Sequence, residues 1–143
     1  MNVVQAMQVF SAPGDEDAPL PVVYPGWSFD REVYLPLWDW YLIVDQARSR
    51  DAGLGELLAE VSGSADPADP LPKVVPGELL DRLVEFVERL AAEFAGGVDL
   101  AAEQAERDLG DYSSVVYADM LRAVGQVLRE ARRTGEPFEA WNE

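Results

Sequence analysis

The sequence predicts a mainly α protein: a compact, single-domain bundle of four or five helices, to which a short N-terminal β element can be added. Three observations point there. GELLDRLVEFVERLAAEF, residues 77–94, keeps its apolar side chains on one continuous half of a helical wheel and stops at Gly96-Gly97. SVVYADMLRAVGQVLREARR, residues 114–133, repeats the pattern through Val116, Tyr117, Met120, Leu121, Val124, Val127, Leu128 and Ala131, and stops at Gly135. With 143 residues, 48% of them hydrophobic, the chain has material for one core, since a chain of about 150 residues buries roughly two-thirds of its unfolded surface.

The elements follow in order. Residues 1–27 read as an extended or β-like arm. NVVQAMQVF is its β-tolerant part, APGDEDAPLP a loop, and LPVVY a second short strand that its prolines confine to a sheet edge. Residues 28–61 read as aromatic-rich helices. Pro36 either kinks a helix begun near Arg31 or sits in the first turn of one that runs to Ser49, and DAGLGELLAEV follows as a weaker helix. Its Gly53 and Gly55 each cost about 1 kcal/mol against Ala. Three prolines make residues 62–75 a linker and forbid a central strand. Residues 76–135 form the helical part. Pro76 opens its first helix, Asp99 caps a short helix, LAAEQAERDL, and Ser113 or Ser114 starts the last. The tail, residues 136–143, carries Phe138 and Trp141 and therefore has something to dock.

Charge narrows the partners. There are 27 acidic and 11 basic side chains, a formal net charge of −16. All of the excess lies in residues 1–121, because residues 122–143 hold four of each sign. Such a field repels nucleic-acid phosphates and anionic membrane surfaces and attracts basic proteins, so neither nucleic acid nor membrane is an expected partner. The N-terminus has no basic, apolar secretion signal, and the apolar run Leu35–Val44, interrupted by Asp39, is too short to span a bilayer. The expected location is the cytoplasm.

Residue types narrow the chemistry further. The chain has no Cys and no His. That removes disulfides, thiolate nucleophiles, Ser-His and Cys-His pairs, and the usual transition-metal ligands. Glu-x-x-Glu spacing on residues 78–88 would need a His three residues on to build a di-metal site, and GDED at residues 14–17 lacks the spacing of an EF-hand loop. No metal, cofactor or phosphate-binding loop is expected. A carboxylate pair beside the aromatics, drawn from Glu32, Asp39 and Asp45, is the only basis for an enzyme, and a noncatalytic role is favoured.

Two groups of residues remain as candidate sites. The segment from Tyr24 to Tyr41 holds seven of the fourteen aromatics. In its leading loop, Tyr24 and Trp27, with Asp30, suit the capture of a cation. On the long acidic helix, Glu78, Asp81, Glu85 and Glu88 form a stripe, in which Glu78 and Glu85 have Arg82 and Arg89 at the favourable i, i+4 spacing while Asp81 and Glu88 have none. Tyr24, Trp27, Asp30, Asp81, Glu85 and Glu88 are therefore the expected contacts with a basic protein partner. The alternative is a small enzyme or ligand-binding accessory protein with an aromatic and carboxylate pocket at Trp38, Asp39, Trp40 and Asp45, suited to a cationic or sugar-like ligand. A helix from Pro36 to Ala47 would turn Trp40, Ile43, Val44 and Ala47 one way and Leu37, Trp38, Tyr41 and Leu42 the other, so a homodimer is a third way to cover its second side.

In charge, size and helicity the chain is similar to small acidic bacterial proteins that neutralise a basic partner, such as toxin-immunity proteins and nucleic-acid mimics. That likeness implies an inhibitor-type binding role.

Overall fold

The computed structural model describes residues 6–14, 27–29, 31–63 and 71–143. Among them run β1 (Met7–Ser11), β2 (Ser28–Phe29), β3 (Glu32–Pro36), α1 (Leu37–Arg50), α2 (Ala52–Ser62), β4 (Leu71–Lys73), α3 (Gly77–Ala95), α4 (Ala101–Glu106), α5 (Ser114–Thr134) and β5 (Phe138–Asn142). The fold is mainly α, with five helices and a small antiparallel sheet in one domain.

The two periodic helices form its centre. α3 buries Leu80, Leu83, Phe86, Val87, Leu90, Ala91 and Phe94, and α5 buries a wider face that includes Tyr117, Met120, Leu121, Val124, Val127 and Leu128. Burying each such large side chain contributes about 1.5–3 kcal/mol, so the α3–α5 pair supplies much of the driving force. Gly135 ends α5 in the left-handed region at φ 71°, where its N–H reaches the Ala131 carbonyl at 3.0 Å. Glycine adopts that conformation without a Cβ penalty.

The sheet has strand order β2-β3-β1-β5-β4. It reaches beyond an N-terminal element, because the tail becomes β5, paired with β1 from Gln8↔Asn142 to Ser11↔Glu139. β4 lies at the sheet edge, the position its Pro72 permits. Of the two expected starts for the next helix, the one near Arg31 is overturned by a strand and the one at Pro36 is followed. In Glu32–Pro36, Val33 and Leu35 turn inward while Glu32 and Tyr34 remain half-exposed, a period of two that pairs with β1 from Met7↔Pro36 to Ser11↔Glu32. LPVVY lies outside the described residues.

α1 starts directly after Pro36. Trp40, wholly buried, meets Phe10 of β1 edge-on at 5.6 Å and donates through Nε1 to Ser62 Oγ at 3.0 Å. Leu37 and Leu42, expected on the second side, are buried with Trp40, Ile43, Val44 and Ala47, so that side reduces to Trp38 and Tyr41. α2 turns back along α1 because Asp51 caps it, accepting from Leu54 N at 2.9 Å, and because Gly55 lets the backbones meet. A Cβ on Gly55 would stand 2.5 Å from Arg48 N and Cα. Gly55 thus permits close packing and does more than weaken a helix.

Candidate functional site

The acidic stripe loses half of its free charge on folding. Arg132 Nε lies 2.8 Å from Asp81 Oδ1, and Arg129 pairs with Glu88, both arginines reaching across from α5. Glu78 and Glu85 remain exposed and are in no ion pair among the described residues, so the expected helix pairs with Arg82 and Arg89 do not form. Across the described residues, nine ion pairs engage eight of the eleven basic side chains. Seven carboxylates share those pairs, and the other fourteen described Asp and Glu residues have no cationic partner. Folding therefore concentrates the surplus instead of cancelling it.

The densest surplus lies around α4. Asp99, Glu103, Glu106, Asp108 and Asp111 fall within thirteen residues that contain one cation, Arg107, and that guanidinium is turned to Asp45. Local backbone geometry marks both ends of this acidic segment. Asp99 Oδ1 accepts from Ala101 N at 3.1 Å at the start of α4, and Asp108 adopts a left-handed φ of 55° beyond its end, a conformation Asp tolerates better than most side chains. They form no group capable of holding a metal ion among the described residues.

An aromatic ladder adjoins this segment. Trp27, half-buried, meets Tyr112 edge-on at 5.9 Å, Tyr112 meets Tyr117 at 6.3 Å, and Tyr117 meets Phe94 at 6.5 Å, so rings step from the surface to the core. Hydrogen bonds hold the backbone at Trp27 and Tyr112 and the hydroxyl of Tyr117. Tyr34 N donates to the Trp27 carbonyl at 2.8 Å, and Gln104 Nε2 donates to the Tyr112 carbonyl at 2.9 Å and to Tyr117 Oη at 3.1 Å. Tyr117 in turn donates to Asp39 Oδ1 at 2.5 Å. Burial, reinforced by that carboxylate, pushes the Tyr117 phenol far above its ordinary range. Tyr112 and Val115 stay exposed beside it, at 40% and 50%. The rim residues Tyr112, Asp111 and Val115 were not anticipated; an aromatic in the polar turn Gly110-Asp111-Tyr112, just ahead of a helix, is the signal that could have found them.

The expected pocket is divided. Trp40 and Asp39 belong to the core, Trp40 under the sheet and Asp39 beneath Tyr117. Trp38 and Asp45 line a real depression of about 560 Å³ with Tyr41, Val44, Arg48, Ala59 and Arg107. Trp38, Tyr41, Asp45 and Arg48 recur at spacings of three, four and three along α1, one side of that helix. Trp38 is 59% exposed and meets Tyr41 edge-on at 5.6 Å. Asp45 accepts from Arg48 Nη1 at 2.9 Å and from Arg107. Burial raises the Asp45 pKa, but the hydrogen bonds from Arg107 and Arg48 outweigh it and hold the carboxyl below its ordinary range. Tyr24 and Asp30 lie outside the described residues.

No helix among the described residues is long and apolar enough to cross a membrane. Comparison with family models, with characterised proteins and with solved structures finds no match to this chain.

Proposed function

We propose that this protein is a noncatalytic acidic binding protein that docks on a basic protein, in an inhibitor, immunity-type or nucleic-acid-mimic role. One observation carries the reading: among the described residues eight of the eleven cations are engaged in ion pairs, and five of the fourteen carboxylates left without a cationic partner fall between Asp99 and Asp111, next to the Trp27–Tyr112 pair. An unneutralised patch raises the encounter rate with a cationic protein and orients it. Rings packed edge-on against each other, on backbone carbonyls that are themselves hydrogen-bonded, lose little freedom on contact, so Trp27 and Tyr112 act as anchors that slow dissociation. Glu85 and Glu78 add to the field, whereas Asp81 and Glu88 contribute less because Arg132 and Arg129 offset them.

Capture from a cell extract by the immobilised protein at low salt tests this reading. The expected result is recovery of basic proteins, with retention lost at higher salt and in a D108N/D111N variant. Recovery of neutral or acidic proteins only, or retention indifferent to both changes, contradicts it.

A further inference from the structure

The depression beside α1 gathers two cations on an acidic protein. Its lining holds two guanidiniums, Arg48 and Arg107, against the single carboxylate of Asp45, on a protein of net charge −16. Neither guanidinium is saturated: among the described residues Arg107 donates to Asp45 alone, and Arg48 to Asp45 and Glu56. Each carries more N–H donors than those bonds use. The other walls are apolar. Trp38 and Tyr41 meet at 72°, forming a corner of two ring surfaces, with Val44 and Ala59 beside them. A volume of about 560 Å³ lies within the range of small-ligand sites.

We propose that this depression binds a small aromatic carboxylate. Its ring packs into the Trp38–Tyr41 corner, where edge-to-face contact is favourable, and its carboxylate takes the remaining donors of Arg48 and Arg107, a charge-assisted pairing suited to guanidinium geometry. Asp45 has two roles. It preorganises the two arginines across α1 and the end of α4, and it competes with the ligand for their hydrogen bonds. This reverses the cationic or sugar-like ligand expected of an aromatic and carboxylate pocket, because the two arginines keep N–H donors that Asp45 and Glu56 do not use.

Asp45 makes the proposal sharply testable. Benzoate and benzylammonium present the same ring with opposite charge, and each is titrated into the protein while the Trp38 indole N–H resonance is followed. Benzoate saturates the site and benzylammonium does not. R107Q weakens benzoate binding by about tenfold or more, and D45N strengthens it several-fold, because the amide oxygen still accepts from the arginines while the competing negative charge is gone. The Arg107 and Asp45 side chains are 34% and 41% exposed, so both variants keep the fold, checked by circular dichroism; R48Q replaces R107Q if that variant unfolds. Preferential binding of benzylammonium, loss of benzoate binding in D45N, or no saturation by either probe overturns the proposal.

Discussion

In the α1 pocket one carboxylate, Asp45, lies between two guanidiniums, whereas between Asp99 and Asp111 five carboxylates have a single guanidinium in sequence, and that one is turned to Asp45. Both regions belong to the same acidic chain. Both also carry an edge-to-face aromatic pair, Trp38–Tyr41 in one and Trp27–Tyr112 in the other. The distribution of arginine contacts separates them. Net charge sets the sign of the far field, but the placement of a few cations decides what each surface meets at contact distance. Arg107 links the two regions, since by pairing with Asp45 it completes the pocket and leaves the α4 acids exposed.

Substitutions can break this contrast from either side, beginning with the largest expected effect. Gly55→Ala drives a methyl group into the Arg48 backbone at 2.5 Å and is expected to destabilise the protein by about 3 kcal/mol or more, read by chemical denaturation. The pocket should be lost first, because α2 provides its Ala59 wall. Gly53→Ala is the matched control. Its Cβ would meet only Asp51 Oδ1, at 3.6 Å, so it should stabilise by roughly 0.5–1 kcal/mol.

Glu130→Gln removes the anion facing Arg31, a pair whose side chains are 11% and 8% exposed, and is expected to destabilise by about 2–4 kcal/mol. Arg133, also bonded to Glu130, holds that carboxyl below its ordinary 4.5, and the contribution from Arg31 adds to it against the opposing effect of burial. A depressed folded pKa means stability that is complete above 4.5 and lost as pH falls through the lower folded value. The acid limb of a stability profile should therefore flatten in the Gln variant. Wild-type behaviour there would show that the pair is not formed.

Tyr117→Phe tests the ladder. It leaves the Asp39 carboxylate without its hydrogen-bond donor and Gln104 without one acceptor, at a cost of about 1.5–3 kcal/mol. It should also loosen Tyr112 and weaken partner capture while leaving the Trp38 resonance in place. Asp81→Asn is expected to change stability by less than about 1 kcal/mol, as exposed ion pairs do. It should alter partner association less than Asp111→Asn, and the reverse order would return the candidate surface to the α3 stripe.

The helical part was legible in the chain. A half-wheel of apolar residues from Leu79 to Phe94 can be satisfied only by packing, and Gly96 and Gly135 mark where the helices stop. The sheet was less so. β3 is five residues long and ends in proline, which is also helix-start chemistry, and the pairing of β1 with β5 joins the two ends of the chain, where no local signal exists. The α4 acids were visible as composition, but their availability depends on Arg107 choosing Asp45 and on Arg129 and Arg132 choosing α3. Those are tertiary choices. The three, four, three spacing of Trp38, Tyr41, Asp45 and Arg48 was readable, whereas nothing local connects Arg107 to Asp45 across 62 positions.

The central claim, that the outward negative surface lies around α4, is tested most directly by mapping where a cation binds. An arginine-rich peptide is titrated into isotope-labelled protein and amide shifts are followed at about 20 mM and then about 150 mM salt, either side of the point where the screening length falls toward contact distances. Saturable shifts are expected over residues 99–115 and at the Trp27 indole N–H, fading at the higher salt. Shifts strongest along Glu78–Glu88 or at Trp38, or no saturable shifts at the lower salt, would contradict it.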